Sequence, residues 1–399
     1  MPTRLTEAVL KRIRSRAGEP SAEASGLPAG PVSLREAQFD DFANVDDMNR
    51  RLGQGADSLE NWHRLWRDNP ALQSGRASRI GWLLESRDVV VGFLGSIPLQ
   101  CSFGGTNLAA AATCRLAVEP AYRSSTPLLV TSFFRQKDVD LFLNTTATPA
   151  AGKIVAALRA IPVPQSDYGK VLFWVLRPRK FISGVLRKTG IRPGLAALGG
   201  SAGALALASD TVIRRRTPRG DAGKYSVKVI NLNELGAEFE YFWEEQEKIP
   251  ALLFAKRSAE IMRWHFQPPG TKKIARVLAC YASGRLCGYA VVRHEPPVEE
   301  SVQRSVIADL MVGSDDPAIV DTLLAAAYQS AKAAGSDVLE VMGFPKKIRT
   351  IMLKWRPYSR DYPACPYFYK TRDRQLQEKL STADAWYACP FDGDATLWP

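Results

Sequence analysis

The chain has 399 residues, 46% hydrophobic and 24% charged. This is a globular composition, and the length is more than one core usually takes, so two domains are expected. A net charge of +12 favours anionic partners: nucleotide cofactors, membrane surfaces, nucleic acid or acidic glycans. The six cysteines (101, 114, 280, 287, 365, 389) form no Cys-x-x-Cys pair and the three histidines are scattered, which argues against a zinc site or a disulfide framework and for a reducing compartment.

Residues 1–30 begin with a basic stretch in which Leu5, Val9 and Ile13 share one side, then run through Gly, Pro, Ser and Ala. A solvated basic tail is expected, with a weak peripheral anchor to an anionic membrane surface as the sharper alternative. The stretch lacks the apolar core of a signal peptide, so a cytoplasmic protein is expected. Spacing and breakers then predict a strand at 32–37, a helix at 39–52 and a second helix at 58–67 capped by Ser58. A hairpin follows, 80–85 with 89–100, and then a strand at 109–118. Alternation along that strand sends the side chains of Cys114 and Arg115 to opposite faces. Pro120 breaks the strand, and Ser125 or Thr126 can cap a helix whose first turn holds Pro127. Residues 141–145 read as a buried strand, 152–160 as a helix and 168–176 as an apolar strand.

The segment 177–224 holds Arg177-Pro178-Arg179-Lys180, Arg187-Lys188 and Arg214-Arg215-Arg216 around a small-residue run at 194–209. That run is too short and small-sided for a membrane span, so a basic connector is expected; a segment resting on anionic lipid is the alternative. The arginines have no interleaved aromatics for bases to stack on, so nucleic acid is not an expected partner. From 225 the order begins again: strand 225–231, helices 235–248 and 259–266, hairpin 274–281 with 286–294, strand 305–312, helix 317–335, strand 338–341, helix 346–354. Leu65-Trp66-Arg67-Asp68-Asn69-Pro70 and Arg263-Trp264-His265-Phe266-Gln267-Pro268 each close the second helix of their half. A divergent duplication is therefore expected, with domains at 31–176 and 225–399.

One stretch carries a family resemblance. Val118-Glu119-Pro120-Ala121-Tyr122-Arg123 resembles the acetyl-CoA-binding segment of the GNAT acetyltransferase superfamily, a strand ending in Val-x-Pro-x-Tyr-Arg that turns into a helix. Thr126 and Leu128 stand where the family pattern has small residues, which let a backbone approach a pyrophosphate. Free N–H groups of the turn and the positive end of the helix dipole make residues Arg123, Ser124, Ser125, Thr126 and Leu128 a candidate phosphate cradle. Over residues 31–399 the chain is similar to tandem GNAT-like proteins encoded with bacterial surface-polysaccharide pathways, including the closing Asp392-Gly393-Asp394.

The resemblance implies an α/β architecture of α+β type: two GNAT-like domains in tandem, each a twisted, mostly antiparallel sheet flanked by helices. It implies acetyl-CoA or another acyl-CoA as donor, and a small-molecule or glycan acceptor that attacks through an amine or hydroxyl. The thioester would lie where strand 112–118 splays from strand 140–144, with Leu116, Ala117 and Val118 along the pantetheine arm and an N–H aimed at the thioester oxygen. In the family a tyrosine of the last helix often supplies a proton to the leaving thiolate; residues 155–158 are apolar here, so Tyr168 is the candidate acid. Asn144 is a candidate bridge to pantetheine or acceptor, and Glu119 is a further candidate. The second half carries Gly313-Ser314-Asp315-Asp316-Pro317 at the corresponding turn, and its carboxylates would repel a pyrophosphate, so that half is expected to be degenerate, serving acceptor binding or structure. Two other readings stand beside this one: a non-catalytic GNAT-like scaffold, and a Fem-type aminoacyltransferase that draws on aminoacyl-tRNA.

Overall fold

A computed structural model of the chain describes residues 30–55, 57–72, 79–188, 203–205, 207–211, 213–297, 301–362 and 367–398. The expected tail at 1–29, most of the small-residue run at 194–209, and Cys365 lie outside the described residues.

The chain enters through β1 (Ser33–Glu36), then α1 (Phe42–Arg51) and α2 (Leu59–Trp66). Ser58 caps α2 as expected, its hydroxyl accepting from the Asn61 N–H. Strands β2 (Gly81–Ser86), β3 (Val89–Phe103) and β4 (Thr106–Val118) follow. The last two run further than expected because Gly104 and Gly105, at φ 57° and 79°, close a two-residue hairpin that pairs Phe103 with Thr106. Then come α3 (Thr126–Phe134), β5 (Leu141–Asn144), α4 (Pro149–Ala157), β6 (Ile161–Pro162) and β7 (Lys170–Val175). The expected connector holds α5 (Pro178–Lys188), and residues 203–205 and 207–211 are also helical. Phe181, Val185 and Leu207 pack onto Val175, Val302 and Val338, so the described parts of this segment are docked by their apolar faces.

The second half runs β8 (Ser226–Ile230), α6 (Ala237–Glu247), β9 (Leu253–Ala255), α7 (Ala259–Phe266), β10 (Ile274–Ala282), β11 (Arg285–His294), β12 (Arg304–Val312), α8 (Pro317–Ala333), β13 (Val338–Val341), α9 (Lys346–Leu353), β14 (Tyr358–Asp361), β15 (Phe368–Thr371) and α10 (Arg374–Lys379). Ser258 caps α7 as Ser58 caps α2, accepting from the Ile261 N–H. Among the described residues no helix is long and apolar enough to cross a membrane.

Two mixed sheets result, in the orders β1-β2-β3-β4-β5-β15-β6, with β9 added to β3, and β14-β7-β13-β12-β11-β10-β8. Helices flank both, as an α+β architecture requires. The sheets do not follow the expected halves. Strand β7 leaves the first half and pairs between β13 and β14 of the second, Val175 opposite Val338 and Phe173 opposite Tyr358. Strand β15 makes the reverse crossing and lies between β5 and β6, with Phe368 opposite Asn144 and Tyr369 opposite Ile161. β9 adds Leu253–Ala255 to Phe103–Cys101 of β3. A boundary at residue 176 therefore divides the chain but not the sheets.

The exchange predicts one cooperative unit. Residues 30–176 expressed alone leave β5 without β15 and β7 without a sheet, and we expect no sigmoidal melt from them, whereas the full chain melts in one transition by circular dichroism. Trp174, 1% exposed in β7, carries much of the joint, and Trp174→Ala is expected to destabilise the full chain by about 3–5 kcal/mol in denaturant titrations.

Candidate functional site

The strands β4 and β5 run parallel and pair only through Ala110, Ala111 and Ala112 opposite Leu141, Phe142 and Leu143. Beyond Ala112, β4 continues for six residues to Val118 with β3 on one side and no strand on the other. The expected splay is thus present, and it opens at the carboxyl ends of both strands, where open α/β sheets take ligands. Glu119 donates its N–H to Val91 O at 2.9 Å, so the antiparallel alternation turns Ala117 toward β3 and aims the N–H of Val118 into the opening.

A bulge sits in the same stretch: Phe93 pairs with Ala117 and Gly95 with Cys114, leaving Arg115 and Leu116 opposite Leu94 alone. Arg115 takes φ 52°, and the simple alternation expected for Cys114 and Arg115 breaks down. Both side chains lie on the α1–α2 face: Cys114 packs with Trp66 and Phe93, while Arg115 pairs with Asp57 at 2.9 Å and lies 4.2 Å over the Trp398 ring. Leu116 and Val118 pack on the α3 face. Burial pushes the Cys114 thiol well above its usual range, so it stays neutral.

At the other end of the splayed strand, residues Pro120–Ser125 wind into a 3-10 turn that runs straight into α3. The winding already uses amides expected to be free: Tyr122 donates to Glu119 O and Thr126 to Arg123 O. Ser125 leads into α3 with no side-chain cap, and Pro127 has no N–H to offer. Arg123, Ser124 and Leu128 are exposed, Ser125 is half-buried, and Thr126 is buried at 7% exposure. What this turn exposes is the Arg123 charge and the Ser124 hydroxyl, more than a nest of amides.

The apex of the splay gathers residues from opposite ends of the chain. Thr145 and Thr146 follow β5 directly, and both donate their hydroxyls to the Asp394 carboxylate, Thr145 at 2.8 Å and Thr146 at 2.9 Å. The Trp398 side chain also hydrogen-bonds that carboxyl. Asp394 is 3% exposed, and burial raises its carboxyl above the usual carboxylate range despite these donors. Asn144, at 7% exposure, leaves its Oδ1 without a partner. The apex network therefore runs Asp57–Arg115–Trp398–Asp394–Thr146. Sequence reasoning singled out none of these as a site residue; of the residues at the apex it named only the neighbouring Asn144. Asp394 belongs to the closing Asp-Gly-Asp element, but 248 residues separate it from Thr146 and nothing local joins them.

The other candidates lie elsewhere. Glu119 is engaged by Arg51, whose Nε donates to its Oε1 at 2.8 Å while an Arg51 amino group reaches Val90 O, so it ties α1 to the end of β4. Tyr168 is buried, with its hydroxyl donating to Cys389 O at 3.4 Å and its ring edge-on to Tyr367. Glu119 thus serves the joint between α1 and β4, and Tyr168 packs against the closing segment at Cys389.

The second sheet repeats the splay. Strands β12 and β13 pair in parallel only from Arg304–Val338 to Ile307–Val341, while β12 continues to Val312. This opening is filled by the chain itself. Arg257 and Asp309, both fully buried, pair at 3.0 Å, Tyr289 donates to Asp309 at 2.7 Å, and the Cys389 amide donates to Asp392 at 2.8 Å. Tyr387 donates its hydroxyl to Leu310 O, and Phe344 donates its amide to Ala388 O. At the following turn Asp316 caps α8 and is held by Lys224 and Tyr225, which draw its carboxyl down to about 2. Further along, His265 lies flat on Phe391 with its Nε2 2.6 Å from Thr396 Oγ1. Thr396 gives its own proton to Pro390 O, so His265 is the donor, and burial keeps the ring neutral.

No family model and no curated protein sequence matches the chain. Solved structures do. The chain is similar to a GCN5-related N-acetyltransferase from Anabaena variabilis (TM-score 0.53, 10% identity, 86% of this chain and 73% of that one). It is also similar to a probable N-acyltransferase from Enterococcus faecalis, a conserved protein of unknown function (0.54, 9%, 86% and 73%). A third is Saccharomyces cerevisiae N-myristoyltransferase, solved with bound myristoyl-CoA (0.51, 13%, 89% and 83%). At these identities the likeness is one of fold: the chain shares a mixed α/β architecture with all three.

The buried charges give a pH prediction. Burial pushes the Asp392 carboxyl up to about 7, although Arg257 opposes the shift. A carboxyl raised in the folded state favours folding fully below its unfolded pKa of about 4, and that stability is lost as pH rises toward 7. Asp392→Asn removes this dependence, so its stability relative to the parent protein should rise by about 1 kcal/mol or more between pH 5 and pH 8. An equal difference at the two pH values in denaturant melts would show that the carboxyl is not held protonated.

Proposed function

We propose that this protein transfers an acyl group from a CoA thioester to an amine or hydroxyl of a small-molecule or glycan acceptor, in the opening between β4 and β5. The observation that carries the reading is the splay of the first sheet: β4 leaves β5 after Ala112, and the edge turned away from β3 presents the Val118 N–H. A pantetheine arm is an extended amide chain and can take the place of the missing strand, using backbone groups as another strand would. An N–H of the free β4 edge, already oriented by the strand, would receive the charge that builds on the thioester oxygen as the nucleophile attacks. The exposed Arg123, with Ser124 and Ser125, supports the CoA phosphates at the far end.

The second opening is already occupied by residues 386–392, and the amides at the start of α8 face their own Asp316. These observations favour the first half as the donor site and the second as support or acceptor surface. An acetyl group is the simplest donor for the proposal, and an amino sugar of polysaccharide type is the acceptor to try first. A non-catalytic binding role is the second reading, favoured by the 3-10 winding that takes amides away from the phosphate cradle.

Titration with CoA, acetyl-CoA and myristoyl-CoA tests the reading. At least one ester should raise the melting temperature of the full chain. Arg123→Glu, at an exposed site, should leave the unliganded melt unchanged and weaken that ester by at least about 10-fold, the worth of one charge-assisted phosphate contact. A melt that no CoA ester moves would leave the binding role, with a different ligand, as the better account.

A further inference from the structure

We infer that Thr146 and Asp394 form the proton relay that activates the acceptor; the inference rests on the acyl-transfer reading above. Thr146 is exposed at the mouth of the β5–α4 loop, while the carboxylate behind it is 3% exposed. One hydroxyl therefore spans the boundary between the open edge and a buried base, donating to both carboxylate oxygens at 2.9 Å. Thr145 Oγ1 fixes Asp394 from the buried side, also accepting the Asp394 amide at 3.3 Å. Gly393, at φ 80°, is what permits the approach: a Cβ there would stand 2.5 Å from Thr145 Oγ1.

A second observation points to a ligand at the same place. Asn144 is nine-tenths buried with its Oδ1 unpartnered, and buried acceptors are ordinarily satisfied. It lies two residues before Thr146, where an acceptor N–H or a pantetheine amide would complete it. The second sheet has no such group: Met342 and Gly343 follow β13 where Thr145 and Thr146 follow β5.

The step balances as follows. The acceptor nitrogen or oxygen bonds the thioester carbon as its proton passes to Thr146 Oγ1, and the Thr146 hydroxyl proton passes to Asp394. The carbon–sulfur bond breaks with its electron pair on sulfur. The proton held on Asp394 returns through the same hydroxyl, and the CoA thiol leaves neutral.

Thiol release from acetyl-CoA and myristoyl-CoA, with water and with D-glucosamine as acceptor probes, tests the relay. Thr146→Val should lower kcat by at least about 30-fold, within the range a positioned acid or base contributes, with KM for the CoA ester unchanged. Thr146→Ser should restore kcat to within threefold of the parent. Asp394→Asn should match Thr146→Val if it folds, and the Thr146 pair decides the matter if it does not. A Thr146→Val protein within threefold of the parent overturns the relay and leaves the acyl-transfer reading standing. A parent protein that releases thiol from neither ester overturns both.

Discussion

The fully buried cation Arg257 holds the architecture to its particular form. It is fully buried against Asp309 and donates to Ala255 O at 2.6 Å and to Cys389 Sγ at 3.2 Å, with Asp392 Oδ1 3.5 Å away. Through these contacts, strand β12, the short strand β9 and the closing segment 386–398 are held to one point. A buried ion pair need not make a protein more stable than a well-packed apolar cluster would, but losing one partner leaves an uncompensated charge, which costs about 3–5 kcal/mol. Direction is what the pair supplies: Asp309 of β12 holds the guanidinium, and Cys389 and Asp392 of the closing segment sit against it.

That constraint makes the two sheets unlike each other. Each has a parallel pair that separates partway along, and each could admit an extended ligand at that place. In the second sheet the closing segment fills the gap with Tyr387, Cys389 and Asp392. Its continuation then passes the stacked His265 and carries Asp394 and Trp398 to the apex of the first gap. One stretch of chain thus closes one opening and furnishes the other. The strand exchange of β7 and β15 reinforces this, since neither sheet is complete without backbone from the other half.

The two ends of the first opening differ. The 3-10 turn before α3 spends its amides on itself, while the apex keeps an unpaired strand edge, a buried acceptor without a partner and a hydroxyl–carboxylate pair.

Local sequence determined most of the elements. Serine caps at 58 and 258, the proline at 120, and the period-two and 3.6-residue patterns placed most helices and strands within a few residues of where they lie, because each is written in side chains close to one another along the chain. The short strands β9, β14 and β15 were not legible: each pairs only with a strand far along the chain, and nothing in their few residues names that partner. Nor was the partner of β7: an apolar strand pairs equally well with either half until packing chooses. The splay between β4 and β5 was expected from the motif at 118–123 and is present. The bulge that brings Cys114 and Arg115 to one face was hidden, because alternation holds only while pairing is regular. Tertiary structure alone decided the apex. Thr146 and Asp394 stand 248 residues apart, and only the anchoring of the closing segment brings that carboxylate behind that hydroxyl.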